Sequence, residues 1–209
     1  MAVRPDILLF DLGGVLIQLS GQPIRNEWIK GSHTAEQSWK NWLQSDVARA
    51  FETGEIDAQT FAERLVQEMS LNISPEMFLA HFTAWPRGLF PGATQLLEAL
   101  AGKVGLAVFS NSNELHWPRK LDEMGLEDKF EHYFASHLMG LAKPDPAAFE
   151  RVLERLDTDP GRILFFDDNQ LNIDGAREMG LQAELTQGFE AVLDCLRRRE
   201  LLPAGLECD

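Results

Sequence analysis

Four short, apolar runs punctuate the chain: "ILLF" at 7–10, "VGLAVF" at 104–109, "YFA" at 133–135 and "ILFF" at 163–166. Each is bounded by polar or turn-forming residues. Continuous rather than alternating apolarity suits strands buried on both faces, as in a parallel sheet. Between the runs the period changes to that of a helix. "ATQLLEALA" (93–101) follows Pro91-Gly92, and "NIDGAREMG" (172–180) stops at Gly180. "DPAAFERVLERL" (145–156) opens with Asp145 as a predicted N-cap and Pro146 in the first turn. Strands alternating with helices predict an α/β fold: a Rossmann-like, doubly wound parallel sheet with right-handed crossovers.

The stretch between the first two strands has a different character. Residues 18–88 hold Trp28, Trp39, Trp42 and Trp85, four of the five tryptophans, and helical patterns at 57–69 and 74–82, the second with Ser74 as cap and Pro75 behind it. A connection of that length without structure is improbable in a compact domain. The expectation is an inserted α-helical cap domain at 18–88, with the tryptophans as its core anchors, and an α/β core domain made of 1–17 and 89–209.

Polar residues fall where these strands end. Asp11 follows "ILLF", Ser110-Asn111 follow "VGLAVF", Lys143 lies in "GLAKPDP" after the third strand, and Asp167-Asp168 follow "ILFF". Any one of them reads as a turn former or cap. Four on the carboxyl rim of one sheet, where open α/β sheets bind ligands, point to a site. The chemistry that suits them is phosphoryl transfer. Asp11 is the candidate nucleophile, forming an aspartyl-phosphate that splits one displacement into two. Adjacent carboxylates at Asp167 and Asp168 call for a cation. Mg²⁺ prefers such hard oxygen ligands and leaves room for water and phosphate. The expected metal ligands are Asp11, Asp167, Asp168 and the Gly13 carbonyl. Ser110 and Lys143 are expected to hold the transferring group, with Asn111 lining its pocket, while Gly13 and Gly14 let the backbone approach it.

Composition narrows the partners. A net charge of −14 over 209 residues disfavours nucleic acid and anionic membrane surfaces. No apolar run approaches the roughly 20 residues of a membrane span. The short apolar stretch after "MAVRPD" does not read as a signal peptide, so a cytoplasmic location is expected, as a monomer or as a homodimer through the cap. Cys195 and Cys208 show no metal spacing and read as incidental thiols.

In order and spacing, "FDLGGVLI", "VFSNSN", "LAKPDP" and "FFDDNQLNIDGA" resemble the four motifs of the haloacid dehalogenase superfamily, most of whose members are Mg²⁺-dependent phosphatases. "FETGEIDAQTF" (51–61) and "SNSNELH" (110–116) look like the branch that contains the bacterial glucose-1-phosphate phosphatases. The resemblance implies a five-stranded parallel sheet, a helical cap that closes over a small phosphorylated substrate, and Mg²⁺ as cofactor. It also exposes a departure. The family's phosphatases use Asp-x-Asp, the second aspartate protonating the leaving group, and here that position is Gly13. A sugar anomeric phosphate, whose leaving oxygen is less basic, fits such a site; water, Glu52 or Glu55 are alternative proton sources. Two other readings follow from the missing acid: a phosphometabolite-binding or regulatory protein with little turnover, and a 2-haloacid dehalogenase, against which "FFDDN" argues. Asn172 is expected to orient ligands. His116 reads as a loop-packing residue, Asn113 as a neighbour of the substrate or cap.

Overall fold

The computed structural model describes residues 3–29 and 34–202; His33 and Cys208 lie outside them. The first strand, β1 (Ile7–Phe10), is followed by a tight turn and a short strand, β2 (Ile17–Leu19). Four helices come next: α1 (Ala35–Leu43), α2 (Asp46–Glu52), α3 (Ala58–Glu68) and α4 (Pro75–Thr83). Each starts where a short polar side chain satisfies a free backbone N–H: Thr34, Ser45, Asp57 and Ser74. The chain returns through β3 (Pro86–Leu89), antiparallel to β2.

The rest alternates as expected: α5 (Ala93–Leu100), β4 (Gly105–Ser110), β5 (His132–Ala135), α6 (Ser136–Met139), α7 (Pro146–Leu156), β6 (Ile163–Asp167), α8 (Gln170–Glu178), β7 (Gln182–Leu185) and α9 (Phe189–Arg198). The five parallel strands lie in the order β5-β4-β1-β6-β7, with Ile7 opposite both Gly105 and Ile163. From β1 the chain builds outward through β4 to β5, then returns to the other side of β1 for β6. That reversal opens a crevice between the ends of β1 and β6.

Successive side chains along each strand feed opposite layers. Leu8, Phe10, Val108 and Phe166 pack under α5 and α9, whereas Leu9, Phe109, Ile163 and Phe165 pack under α7 and α8. The segment between β2 and β3 has an apolar core of its own, in which Trp42, Phe51, Phe61, Phe78 and Phe82 are buried. Phe51 and Phe61 stack at 4.2 Å. Each such ring removed from water contributes about 1.5–3 kcal/mol, enough for the four short helices to hold together. Trp28 packs edge-on against Phe78, while Trp39, Trp42 and Trp85 do more than fill this core, because all three also face the site described below.

Strand ends extend slightly beyond the apolar runs, so that Ser110 and Asp167 are the last residues of β4 and β6. β7 and α9 carry no comparable run. α9 buries Phe189, Val192, Leu193, Cys195 and Leu196 along one stripe, and its basic end meets Glu184 through Arg198 and Arg199. Cys195 lies in this core, where burial raises its thiol above the ordinary range. Among the described residues no helix is long and apolar enough to cross a membrane.

Candidate active site

Asp11 leaves β1 at the crevice, its backbone N–H bonded to the Phe166 carbonyl of β6. Lys143 is the centre of the site. Its ammonium donates to Asp11 Oδ1 at 2.9 Å, to Asp167 Oδ2 at 2.6 Å and to the Phe109 carbonyl at 2.7 Å, so all three of its protons are used. Its side chain is 1% exposed and sits over the rings of Phe109 and Phe165. Burial would strip the proton from such an amine, but the two carboxylates outweigh it and hold the pKa above the usual lysine value. Asn111 keeps this arm in place: its amide donates to the Lys143 carbonyl and accepts from the Lys143 N–H, both at 2.9 Å. Both polar ends of Asn111 are thereby committed to positioning Lys143, although the residue still borders the cleft.

Asp167 is gripped from the other side. Asn172 Nδ2 donates to both of its oxygens, at 2.9 and 3.0 Å, and the Asn169 N–H adds a third bond. Asn172 Oδ1 is buried without a partner. Asp168 presses on Gly14: a Cβ built there falls 2.2 Å from Asp168 Oδ2, and Gly14 has φ +71°, so only glycine fits. Burial, with Asp11 and Asp167 nearby, raises the Asp168 carboxyl to about 7. Gly13 lines the cleft. Ser110 is less exposed than expected of a direct ligand; its hydroxyl donates to the Asn111 carbonyl at 3.3 Å and accepts from Lys120 Nζ at 3.4 Å.

The donor set fits Mg²⁺. Asp11, Asp167 and Asp168 bring three hard carboxylates to one rim, against the ammonium groups of Lys143 and Lys120, an excess of negative charge that a small divalent cation neutralises. The orphaned Asn172 oxygen suits a metal-bound water. Among the described residues no three such side chains already form a closed cage. Mg²⁺ does not need one, since it takes one or two carboxylates and completes its shell with water and phosphate.

Of two further residues of the cleft, Lys120 escapes the sequence, and His116 reads there as loop packing. Lys120 is 4% exposed, contacts Ser112 Oγ at 3.2 Å, and is lowered to about 8 by burial. In "WPRKLDE" it reads as a solvated lysine; the one signal against that is its place on the stripe Trp117, Lys120, Leu121, Met124, whose other members pack into the core. His116 is buried, with Nε2 bonded to the Phe82 carbonyl at 2.7 Å and Nδ1 to Asn113 at 3.1 Å. The carbonyl needs a donor, so the proton sits on Nε2 and Nδ1 accepts from the Asn113 amide. Burial and nearby Lys120 lower His116 to about 3. With both nitrogens engaged it ties the loop after β4 to the end of α4. The cleft above these groups measures about 120 Å³ and is roofed by Trp39, Trp42, Phe82 and Trp85, with Leu19 at its side. Glu52 also borders it, whereas Glu55 is exposed, accepts from Thr53 Oγ1 at 2.9 Å and faces a separate groove.

A crevice lined by carboxylates and a buried lysine at the switch point of a Rossmann-like sheet, under a helical insertion, is an architecture found among α/β hydrolases. Residues 5–180 match the model of the haloacid dehalogenase-like hydrolase family, and the chain belongs to that family. It is 30% identical over 202 residues to the sesquiterpene phosphatase astK of Aspergillus oryzae, covering 93% of this chain and 95% of that protein. It is 27% identical over 190 residues to an (S)-2-haloacid dehalogenase of a Pseudomonas species, covering 84% of this chain and 80% of that one. The fold aligns with a family enzyme of Bacteroides thetaiotaomicron solved in complex with magnesium and inorganic phosphate, at TM-score 0.69 and 28% identity, over 86% of this chain and 93% of that chain.

Proposed function

We propose that the protein is a Mg²⁺-dependent phosphatase of a small phosphorylated metabolite, working through a phosphoryl-Asp11 intermediate. The observation that carries this reading is the Asp11–Lys143–Asp167 bridge at the floor of the cleft. Asp11, with the Gly13 carbonyl, Asp167 and Asp168, would hold the metal, which when bound offsets phosphoryl charge and orients it for in-line attack. The protein's own part is then positional. Asp11 Oδ attacks phosphorus, Lys143 holds the Asp11 carboxylate through Oδ1 and faces the developing charge, and Asn111 and Asn172 fix the two arms. Lys120, which lines the cleft with Ser110 behind it, adds a second cation.

The family's dehalogenase chemistry fits less well. Without a metal, Asp11, Asp167 and Asp168 would repel a carboxylate substrate with only Lys143 and Lys120 to compensate. The volume of the cleft suits a small substrate, and its tryptophan roof suits an alcohol with apolar C–H faces, so sugar phosphates, including anomeric phosphates, head the list. The test is phosphate release from a panel of sugar phosphates, nucleotides and phosphorylated acids, with Mg²⁺, with chelator, and with Asp11→Asn. Turnover that needs both Mg²⁺ and Asp11 is expected. Turnover that survives chelator, or chloride release from a 2-chloroacid in place of phosphate release, would overturn it.

A further inference from the structure

With glycine at position 13 the first motif lacks the second aspartate of the family's phosphatases, and the cleft itself offers a replacement. Glu52 ends α2 and borders the cleft opposite Asp11 and Lys143. Its carboxyl is acted on through space by Lys120, Lys143, Asp11 and Arg49. It is a half-buried acid whose side chain makes no hydrogen bond or ion pair among the described residues.

Its position is built rather than incidental. The Glu52 carbonyl accepts a 2.5 Å hydrogen bond from Ser136 Oγ on α6, and the same hydroxyl accepts from the Ser112 N–H at 2.9 Å in the loop after β4. Ser136 is fully buried. Two residues on, Gly54 (φ +75°) lies so close to α6 that a Cβ there would be 2.5 Å from the His137 carbonyl oxygen. Arg49 adds an exposed ion pair to Asp145 at 3.2 Å. The end of α2 is thus docked on the rim that carries Ser110, Ser112 and Lys143.

We infer that Glu52, carried by the inserted helical segment, is the general acid of the reaction and takes the role left vacant at Gly13. This rests on the phosphatase reading above. In the first step Asp11 Oδ bonds to phosphorus, the bond from phosphorus to the leaving oxygen breaks, and the Glu52 carboxyl passes its proton to that oxygen. In the second, the Glu52 carboxylate takes a proton from water as the water oxygen bonds to phosphorus and the Asp11–phosphorus bond breaks. Products are the alcohol and inorganic phosphate, with Asp11 ionised and Glu52 protonated again. Burial raises the Glu52 carboxyl to about 7, against the pull of Lys120 and Lys143, so near neutral pH both forms are populated, as a group that must give and then take a proton requires.

The test compares wild type, Glu52→Gln and Glu52→Asp on p-nitrophenyl phosphate, whose leaving group needs no proton, and on glycerol phosphate, whose alkoxide does. The parameter is kcat/KM, which ends with release of the alcohol. Glu52→Gln is expected to lose about 10²- to 10⁴-fold on glycerol phosphate while changing little on p-nitrophenyl phosphate. On the latter it should show a burst of nitrophenol followed by slow phosphate release. Glu52→Asp should recover part of the loss. Equal losses on both substrates, as a merely structural residue would give, or no loss on either, overturn Glu52 as the acid and leave the phosphatase reading intact. A wild type that releases phosphate neither from these two nor from any member of the panel above overturns both.

Discussion

Acid tests the hinge at His116. The ring is 3% exposed, packs at a tilt against Phe82 with centroids 4.5 Å apart, and uses both nitrogens to join the loop after β4 to the carbonyl of Phe82 in α4. A proton forced onto Nδ1 would lose the Asn113 bond and bring a cation into a pocket that already holds Lys120. Burial, with Lys120 second, depresses the pKa from 6.5 to about 3. The sign follows from linkage: the unfolded chain takes up this proton first, so the stabilisation is complete above 6.5 and is lost as the pH falls toward 3. At about pH 4.5 nearly all unfolded chains and few native ones carry the proton, a gap of about two logarithmic units, or about 3 kcal/mol. The assay is urea unfolding of wild type and His116→Gln near pH 8 and near pH 4.5. The glutamine amide still donates to the Phe82 carbonyl but does not titrate, and contributions from other groups cancel in the comparison. Wild type should lose about 3 kcal/mol more than the variant on acidification. Equal losses would refute a neutral, doubly bonded His116.

Lys143→Met should leave Asp11 and Asp167 buried without their cation, costing about 3–5 kcal/mol in unfolding free energy; wild-type stability in this variant would contradict the bridge. Gly54→Ala, forced to φ +75° against the His137 carbonyl, should cost about 1–3 kcal/mol and reduce activity on glycerol phosphate more than on p-nitrophenyl phosphate, measured by kcat/KM. Above pH 8 Lys120 discharges, because burial lowers it to about that value. Inhibition by inorganic phosphate should therefore weaken as the pH rises through 8 in wild type and lose that step in Lys120→Met, read by Ki against pH. At Gly13 a Cβ meets only Leu19 at 3.5 Å, an ordinary contact. Gly13→Asp should then fold normally and restore glycerol phosphate turnover to Glu52→Gln by about 10²-fold or more; a thermal midpoint and kcat/KM together check this.

Much of the fold is legible locally. "ILLF" and "ILFF" are buried on both faces, so each run announces its strand without reference to the rest of the chain. Asp57, Ser74 and Asp145 cap the helices whose starts they mark, because a side-chain oxygen next to free N–H groups is a short-range effect. β7 is harder to see, since "QAEL" at the sheet's edge buries only Ala183. The segment of α1 and α2 lacks a long apolar stripe and depends on its own packed core.

The site divides along the same line. Sequence alone marked Asp11, Lys143, Asp167 and Asp168, because each follows a strand whose direction brings its end to one rim. Only the tertiary structure decided what each does there. It committed both ends of Asn111 to the Lys143 backbone, set Ser110 behind Lys120, and turned Asn172 onto Asp167. It also brought Glu52 and Lys120 to the cleft from opposite sides of the α4–β4 region. Glu52 is one of several candidate proton sources in the sequence, inside "FETGEIDAQTF", and Lys120 lies in no motif. Periodicity reports whether a residue is buried against its own element's neighbours, whereas a cleft is made by residues distant in sequence, and their meeting is set by strand order and by the docking of α2 on α6.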